Sequence, residues 1–241
     1  MDRGRSVHVR IAPQLRLFAA PRNRGELLTV PYDGTATIGH IAESLGVPLT
    51  EIGDLLVDGT SRGPEHQPRP GQTIQLQPVP RPQRLVPRFV LDVHLGKLAR
   101  RLRLLGIDTA YRNDAADDSL IAQANAEHRV LLTQDRGLLR RRALWSGAYV
   151  YGARPPQQLA DVLERFAPPL APWTRCTACN GELTSVPKED ILELIEPGTR
   201  RNYDDYARCL ECERVYWRGA HARRISEMIR QARKAHPDYP D

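Results

Sequence analysis

All four cysteines of this 241-residue chain fall into two C-x2-C pairs, Cys176 with Cys179 and Cys209 with Cys212. No other feature constrains the fold of the last third of the chain as strongly. Four thiolates arriving as two close pairs suit a tetrahedral four-cysteine zinc site, each pair forming one knuckle. A thioredoxin-like redox centre needs a single C-x2-C in a different setting, and a reducing compartment disfavours two disulfides. With four protein ligands the metal's shell is closed, so the expected zinc is structural. The spacer between the pairs is 29 residues, longer than the ~15 to 20 usual for such sites. "KEDILELI" within it suits a short helical insertion.

Proline marks the joints upstream. "PVPRPQRLVPR" (78–88) and "FAPPLAPW" (166–173) have no apolar periodicity and suit semi-rigid connectors. They divide the chain into about 1–82, 87–168 and 171–241. No stretch approaches the ~20 apolar residues of a membrane span, and "MDRGRSVHVR" has no signal-peptide core. A soluble, cytoplasmic chain with no membrane partner is expected.

In 1–82, "VHVRIA" alternates like a strand and "ELLTVPYDG" reads as a second strand ending in a turn. "TIGHIAESLG" has helical spacing with Gly46 as its stop, and "DLLVDGTSRG" and "TIQLQPV" give further strands. The order β-β-α-β-β suggests a ubiquitin-like β-grasp (α+β) domain. It resembles the small sulfur-carrier proteins of thiamine and molybdopterin synthesis, which end in a diglycine. Here the corresponding end is "QLQPVPRPQR", internal and without those glycines. Docking of a protein partner or of substrate fits better than sulfur transfer, with a purely structural appendage as the other reading.

Residues 87–168 alternate strand and helix patterns: "RFVLDVHLG", then "LGKLARRLRLLG" with leucines at 95, 98, 102 and 105, then "IDTAYRN", "DSLIAQANAEH", "RVLLTQD", "RGLLRRRALWSG", "AYVYGA" and "PPQQLADVLERF". Repeated β-α units imply an α/β domain, a parallel sheet with helices on both faces. The carboxyl ends of such strands form the binding crevice. Asp92 ends "FVLD", Asp135 ends "VLLTQD", and Asp114, Asp117 and Asp118 follow the second strand. Acids from three strand ends can converge there. Converging carboxylates repel unless a cation neutralises them, and hard oxygen ligands favour Mg²⁺ or Mn²⁺. Each acid also has a plainer reading as a helix N-cap.

The chain carries a net +6. Residues 86–172 hold 13 basic and 9 acidic side chains, most of the excess. A basic face recruits polyanions through counterion release, although only three of the 35 basic residues are lysine, which high-GC coding would also produce. Arg100, Arg101 and Arg103 on the first helix, Arg136 beside the last acid, and Arg140 to Arg142 are candidates for holding an RNA backbone, with a solvated helix face as the alternative. In "VYWRGAH", Tyr216, Trp217 and Arg218 offer stacking and charge to a single strand, or simple packing over a zinc core. His221 is a further candidate contact, and "HARRISEMIRQARKAH" reads as a basic tail helix.

"FVLDVHLGKLARRLRLLGIDT", "DDSLIAQANAEHRVLLTQDRGLL" and "RCTACNGEL…ARCLECERVYWRGAH" together resemble the Mut-seven C-terminal RNase-domain family, over about residues 88 to 225. The upstream segment resembles the ubiquitin-like domain often fused to it. The resemblance implies a three-layer PIN-like parallel sheet, preceded by a β-grasp domain and followed by a zinc ribbon. It implies a metal-dependent ribonuclease whose acids match Asp92, Asp117 and Asp135, with Asp118 or Asp114 as a fourth. Where the family usually has "LLTRD", this chain has Gln134. The rival expectations are an RNA-binding or adaptor protein without turnover, and a carrier-derived protein-interaction module centred on the first segment.

Overall fold

The computed structural model describes residues 5–83, 85–219, 227 and 230. The basic tail 221–236, with His221, lies outside the described residues apart from 227 and 230, both helical.

Strand β1 (Ser6–Ile11) buries Val7, Val9 and Ile11 on one face and turns Ser6, His8 and Arg10 to the other, the period of two that a half-covered sheet requires. β2 (Leu27–Pro31) follows, then helix α1 (Ile38–Leu45), β3 (Ile52–Val57), β4 (Thr60–Ser61) and β5 (Thr73–Pro78). The sheet order is β2-β1-β5-β3-β4, with β1 and β5 parallel and the β1/β2 and β3/β5 pairs antiparallel. This is the β-grasp arrangement. Thr37 Oγ1 accepts the His40 N–H to start α1, and Gly46 at φ 100° ends it, a left-handed cap that glycine adopts without a Cβ penalty.

Further along lie β6 (Phe89–Leu91), α2 (Gly96–Leu104), β7 (Thr109–Tyr111), α3 (Asp117–Ala126), β8 (Val130–Thr133), α4 (Arg136–Leu139), β9 (Gly147–Tyr149) and α5 (Pro155–Phe166). Every residue of β6 and β8 is buried. That explains why they read as unbroken apolar runs rather than alternating ones. β6 pairs in parallel with β7 on one side and β8 on the other, Leu91 lying opposite Tyr111 and Leu132. The helix expected over "RGLLRRRALWSG" is only the four residues of α4. In the stretch 136–146 the buried leucines are Leu138, Leu139 and Leu144, a spacing that makes no helical stripe beyond the first turn.

The last strands, β10 (Leu183–Val186), β11 (Tyr206–Cys209) and β12 (Val215–Trp217), form an antiparallel sheet, with a 3-10 helix at Lys188–Leu194 and helix α6 (Pro197–Asn202) between the first two. The long spacer is therefore structured. Its Ile191 and Ile195 pack with Tyr206 in a small core. Three such side chains supply about 1.5–3 kcal/mol each, a small core for a ribbon of this size.

The chain forms two units. One holds residues up to Arg81 together with Thr133–Tyr149; the other holds Pro82–Leu132 and continues from Val150 through the ribbon. Among the described residues no helix is long and apolar enough to cross a membrane.

Candidate functional site

The cysteine knuckles are the best-defined site. The Sγ atoms of Cys176, Cys179, Cys209 and Cys212 all lie within 4.8 Å of one another, with Cys176 to Cys212 at 3.6 Å and Cys179 to Cys209 at 3.5 Å. A tetrahedron of ~2.3 Å zinc–sulfur bonds has sulfur–sulfur edges of ~3.8 Å, so the four thiols fit that ion. The backbone supports them: the N–H groups of Cys179, Gly181 and Glu211 donate to Cys176, Cys179 and Cys209 Sγ respectively, at 3.4 to 3.5 Å. A Cβ at Gly181 would lie 2.9 Å from Cys209 Sγ, so the turn has room only for glycine. Burial pushes the Cys176 thiol up, but the Tyr216 hydroxyl 3.0 Å away and the Cys179 and Ala178 N–H groups outweigh it and bring it down to about 6. Burial and its sulfur neighbours push Cys179 up to about 12. A bound dication would favour the thiolate form of its cysteine ligands.

The first knuckle is bolted to the parallel sheet. Arg103 is 3% exposed. Its Nε donates to the Thr109 carbonyl at 2.9 Å, and its Nη1 to the carbonyls of Thr177 at 3.3 Å and Ala178 at 2.8 Å. Asn180 donates through Nδ2 to Asp108 Oδ1 at 2.8 Å and accepts the Thr109 N–H at 2.9 Å. Asp108 also takes Arg129 Nη1 at 2.7 Å and Arg88 Nε at 3.2 Å. Burial pushes the Asp108 carboxyl up, but the hydrogen bonds from Arg129 and Asn180 more than reverse this and hold it below the usual carboxylate range.

Asp92 follows β6 directly and is 6% exposed. Its N–H donates to the Leu132 carbonyl at 3.0 Å. Its carboxylate makes no cap bond to the 3-10 turn Val93–Leu95 that follows. Because β7 lies to one side of β6 and β8 to the other, Asp92 stands where the strand order reverses, the position at which open α/β sheets bind ligands. Asp117 opens α3, where the cap position belongs to Ala116, and both Asp117 and Asp118 are exposed in its first turn. Asp114 is exposed and paired with Arg112 at 3.2 Å; that hydrogen bond holds its carboxyl below the usual range. Asp135 does cap: its Oδ1 accepts from Gly137 N at 2.6 Å and Leu138 N at 3.4 Å. Among the described residues its Oδ2 has no hydrogen-bond partner. The plain cap reading therefore holds for Asp135 and fails for Asp92 and Asp117.

Just beyond Asp92 a polar cleft of about 1000 Å³ is lined by Val93, His94, Lys97, Tyr111, Arg112 and Pro155, among others. Of these, the Tyr111 hydroxyl donates to the Val93 carbonyl at 2.9 Å.

One family model, described as the Mut7-C RNAse domain, matches residues 87–229. The chain belongs to the Mut7-C RNAse domain family. A second model, Mut7-C ubiquitin, matches residues 4–84. No curated protein matches. Among solved structures, the H. volcanii small archaeal modifier protein 1 is similar at 18% identity over 31% of this chain and 98% of that one, with a TM-score of 0.26.

For a Mut7-C chain the arginines divide sharply. Arg103, expected at an RNA surface, is taken off it by its three bonds to backbone carbonyls. Arg100 and Trp217 both line a groove of about 470 Å³, with Arg214, Tyr216 and the exposed Leu194. Arg101 is half-buried; Arg140 to Arg142 are exposed. Arg136 donates to the Leu17 carbonyl at 2.7 Å, and Arg218 stacks over the Trp173 ring at 5.8 Å. Sequence reasoning missed His94, Lys97 and Arg112, because each is a single basic residue in a loop or first turn. Their common signal is proximity in sequence to a strand's carboxyl end.

Proposed function

We propose that this chain is a divalent-cation-dependent ribonuclease in which Asp92, Asp117 and Asp135 hold the cation, with Asp118 or Asp114 as the further acid. One observation carries the reading. Asp92 is a buried carboxylate at the carboxyl end of the central parallel strand, where the strand order reverses, beside a cleft carrying His94, Lys97 and Arg112. Bound Mg²⁺ or Mn²⁺ would polarise a phosphodiester and lower the pKa of an attacking water. Asp135 contributes by holding the first turn of α4 with Oδ1, which orients the carboxylate and leaves Oδ2 for a ligand. Lys97 and Arg112 bind phosphates of the strand by charge, and the Arg100/Trp217 groove takes a base by stacking. Zinc on the four cysteines is structural, and its thiolates suit a reducing, cytoplasmic setting.

Asp135→Asn is a sharp test, because an asparagine side chain keeps the cap and loses the charge. The variant folds normally, and metal-dependent RNA cleavage falls by at least about 100-fold. Undiminished cleavage overturns the assignment. The second reading, RNA binding without turnover, draws on the same cap: Asp135 already spends one oxygen on α4. Tight RNA binding by the wild type with no cleavage at any divalent-ion concentration selects it.

A further inference from the structure

Glu51 is a charged side chain buried to 3% exposure at the end of the 3-10 turn Leu49–Glu51 in the β-grasp part. Its Oε1 accepts the backbone N–H of Tyr149, the last residue of β9, at 2.7 Å. Two further links join the same two stretches of chain. The Tyr149 ring meets Phe18 edge-on, with centroids 5.3 Å apart and planes at 86°. Arg136, the residue after Asp135, donates to the Leu17 carbonyl at 2.7 Å. A buried carboxylate is costly unless hydrogen-bonded, and a charge-assisted bond to a strand-end N–H is among the stronger side-chain bonds. The Leu17–Phe18 loop and Glu51 therefore grip the segment Thr133–Tyr149 at both its ends.

We propose that the ubiquitin-like part serves as an internal brace for the Asp135-bearing segment, with Glu51 as its positioning residue. The partner of this β-grasp surface is the chain's own 133–149 segment rather than a foreign protein. The residues between the two ends explain the need. α4 is a single turn, and Arg140 to Arg142 and Trp145 are exposed, so the segment buries few side chains with which to hold itself. The consequence for cleavage rests on the ribonuclease reading above; the brace itself does not.

Hydrogen exchange of the full-length chain tests the brace directly. In Glu51→Ala, amide exchange in peptides spanning 133–149 rises by at least about tenfold, while α3, 117–126, keeps its protection. Glu51→Gln retains an acceptor oxygen and stays within about threefold of the wild type, which separates lost bonding from lost folding should the alanine variant unfold. With labelled single-stranded RNA and Mn²⁺, Glu51→Ala lowers the cleavage rate and raises the Mn²⁺ concentration needed, at unchanged RNA affinity, and Glu51→Gln restores both. Unchanged exchange at 133–149 in Glu51→Ala, an equal rise across 117–126, or a Gln variant as exposed as the Ala variant overturns the brace. A wild type that cleaves nothing counts against the ribonuclease reading and leaves the exchange result standing.

Discussion

Arg103 donates to the carbonyl of Ala178 at 2.8 Å, and Ala178 sits inside the first C-x2-C turn. A guanidinium from the helix after the first parallel strand is thus part of the cysteine knuckle's scaffold. Thr109 and Thr177 carbonyls share the same side chain.

Replacing Arg103 with alanine leaves three carbonyls without their donor and opens space between α2 and the ribbon. The expected loss is about 2–4 kcal/mol, read as a lower urea midpoint and faster zinc release to a chelator. An unchanged midpoint with weakened RNA binding would return Arg103 to the RNA surface.

Asp108 gives a pH dependence with a definite sign. Its folded carboxyl titrates below its unfolded value of about 3.9, so its contribution is complete above that pH and is lost as the pH falls through the lower, folded value. Stability therefore declines in acid below about pH 4, and Asp108→Asn flattens that limb of the curve. Denaturation midpoints from pH 6 to pH 2.5 check this; an identical acid limb in both proteins contradicts it.

The four thiols should bind one zinc per chain. Because metal ligation needs deprotonated sulfur, affinity weakens as pH falls. A ribbon stripped of zinc should become more protease-sensitive, because among the described residues its apolar cluster is Ile191, Ile195 and Tyr206 with a few partly buried neighbours. Metal analysis and proteolysis of the 176–217 region report both effects, and a metal-free ribbon equally resistant to protease contradicts them.

Trp217→Ala should weaken single-stranded RNA binding by about 1–3 kcal/mol, one stacked base. Arg100→Ala should lower the slope of log affinity against log salt by about 0.7. Fluorescence anisotropy across a salt series distinguishes the two. Equal loss of slope in both variants would argue that the groove binds only phosphate.

Much of this architecture was legible locally. Val7, Val9 and Ile11 declare a half-covered strand, Thr37 and Gly46 bracket α1, Pro155 opens α5, and the paired cysteines announce their knuckles. What stayed hidden was set by distant partners. Arg103 looks like a solvated helical arginine until the carbonyls of Thr177 and Ala178, 74 and 75 residues away, are known. Its one local sign is Ala99 a turn earlier, buried and small, which widens the buried face beyond the leucine stripe. The Asp108 cluster with Arg129 and Asn180, and the grip of Glu51 on Tyr149, are of the same kind. In the candidate site, strand-end position was readable for Asp92 and Asp135. The cleft residues His94, Lys97 and Arg112 were not, since no periodicity marks them.

The most direct test is a single-turnover time course on end-labelled single-stranded RNA, with wild type and Asp92→Asn compared across a Mn²⁺ titration and in chelator. The account predicts wild-type cleavage that rises with Mn²⁺ and vanishes in chelator, and an Asp92→Asn rate at least about 100-fold lower with folding and RNA binding preserved. Cleavage by Asp92→Asn at the wild-type rate, or wild-type cleavage that persists in chelator, would contradict it.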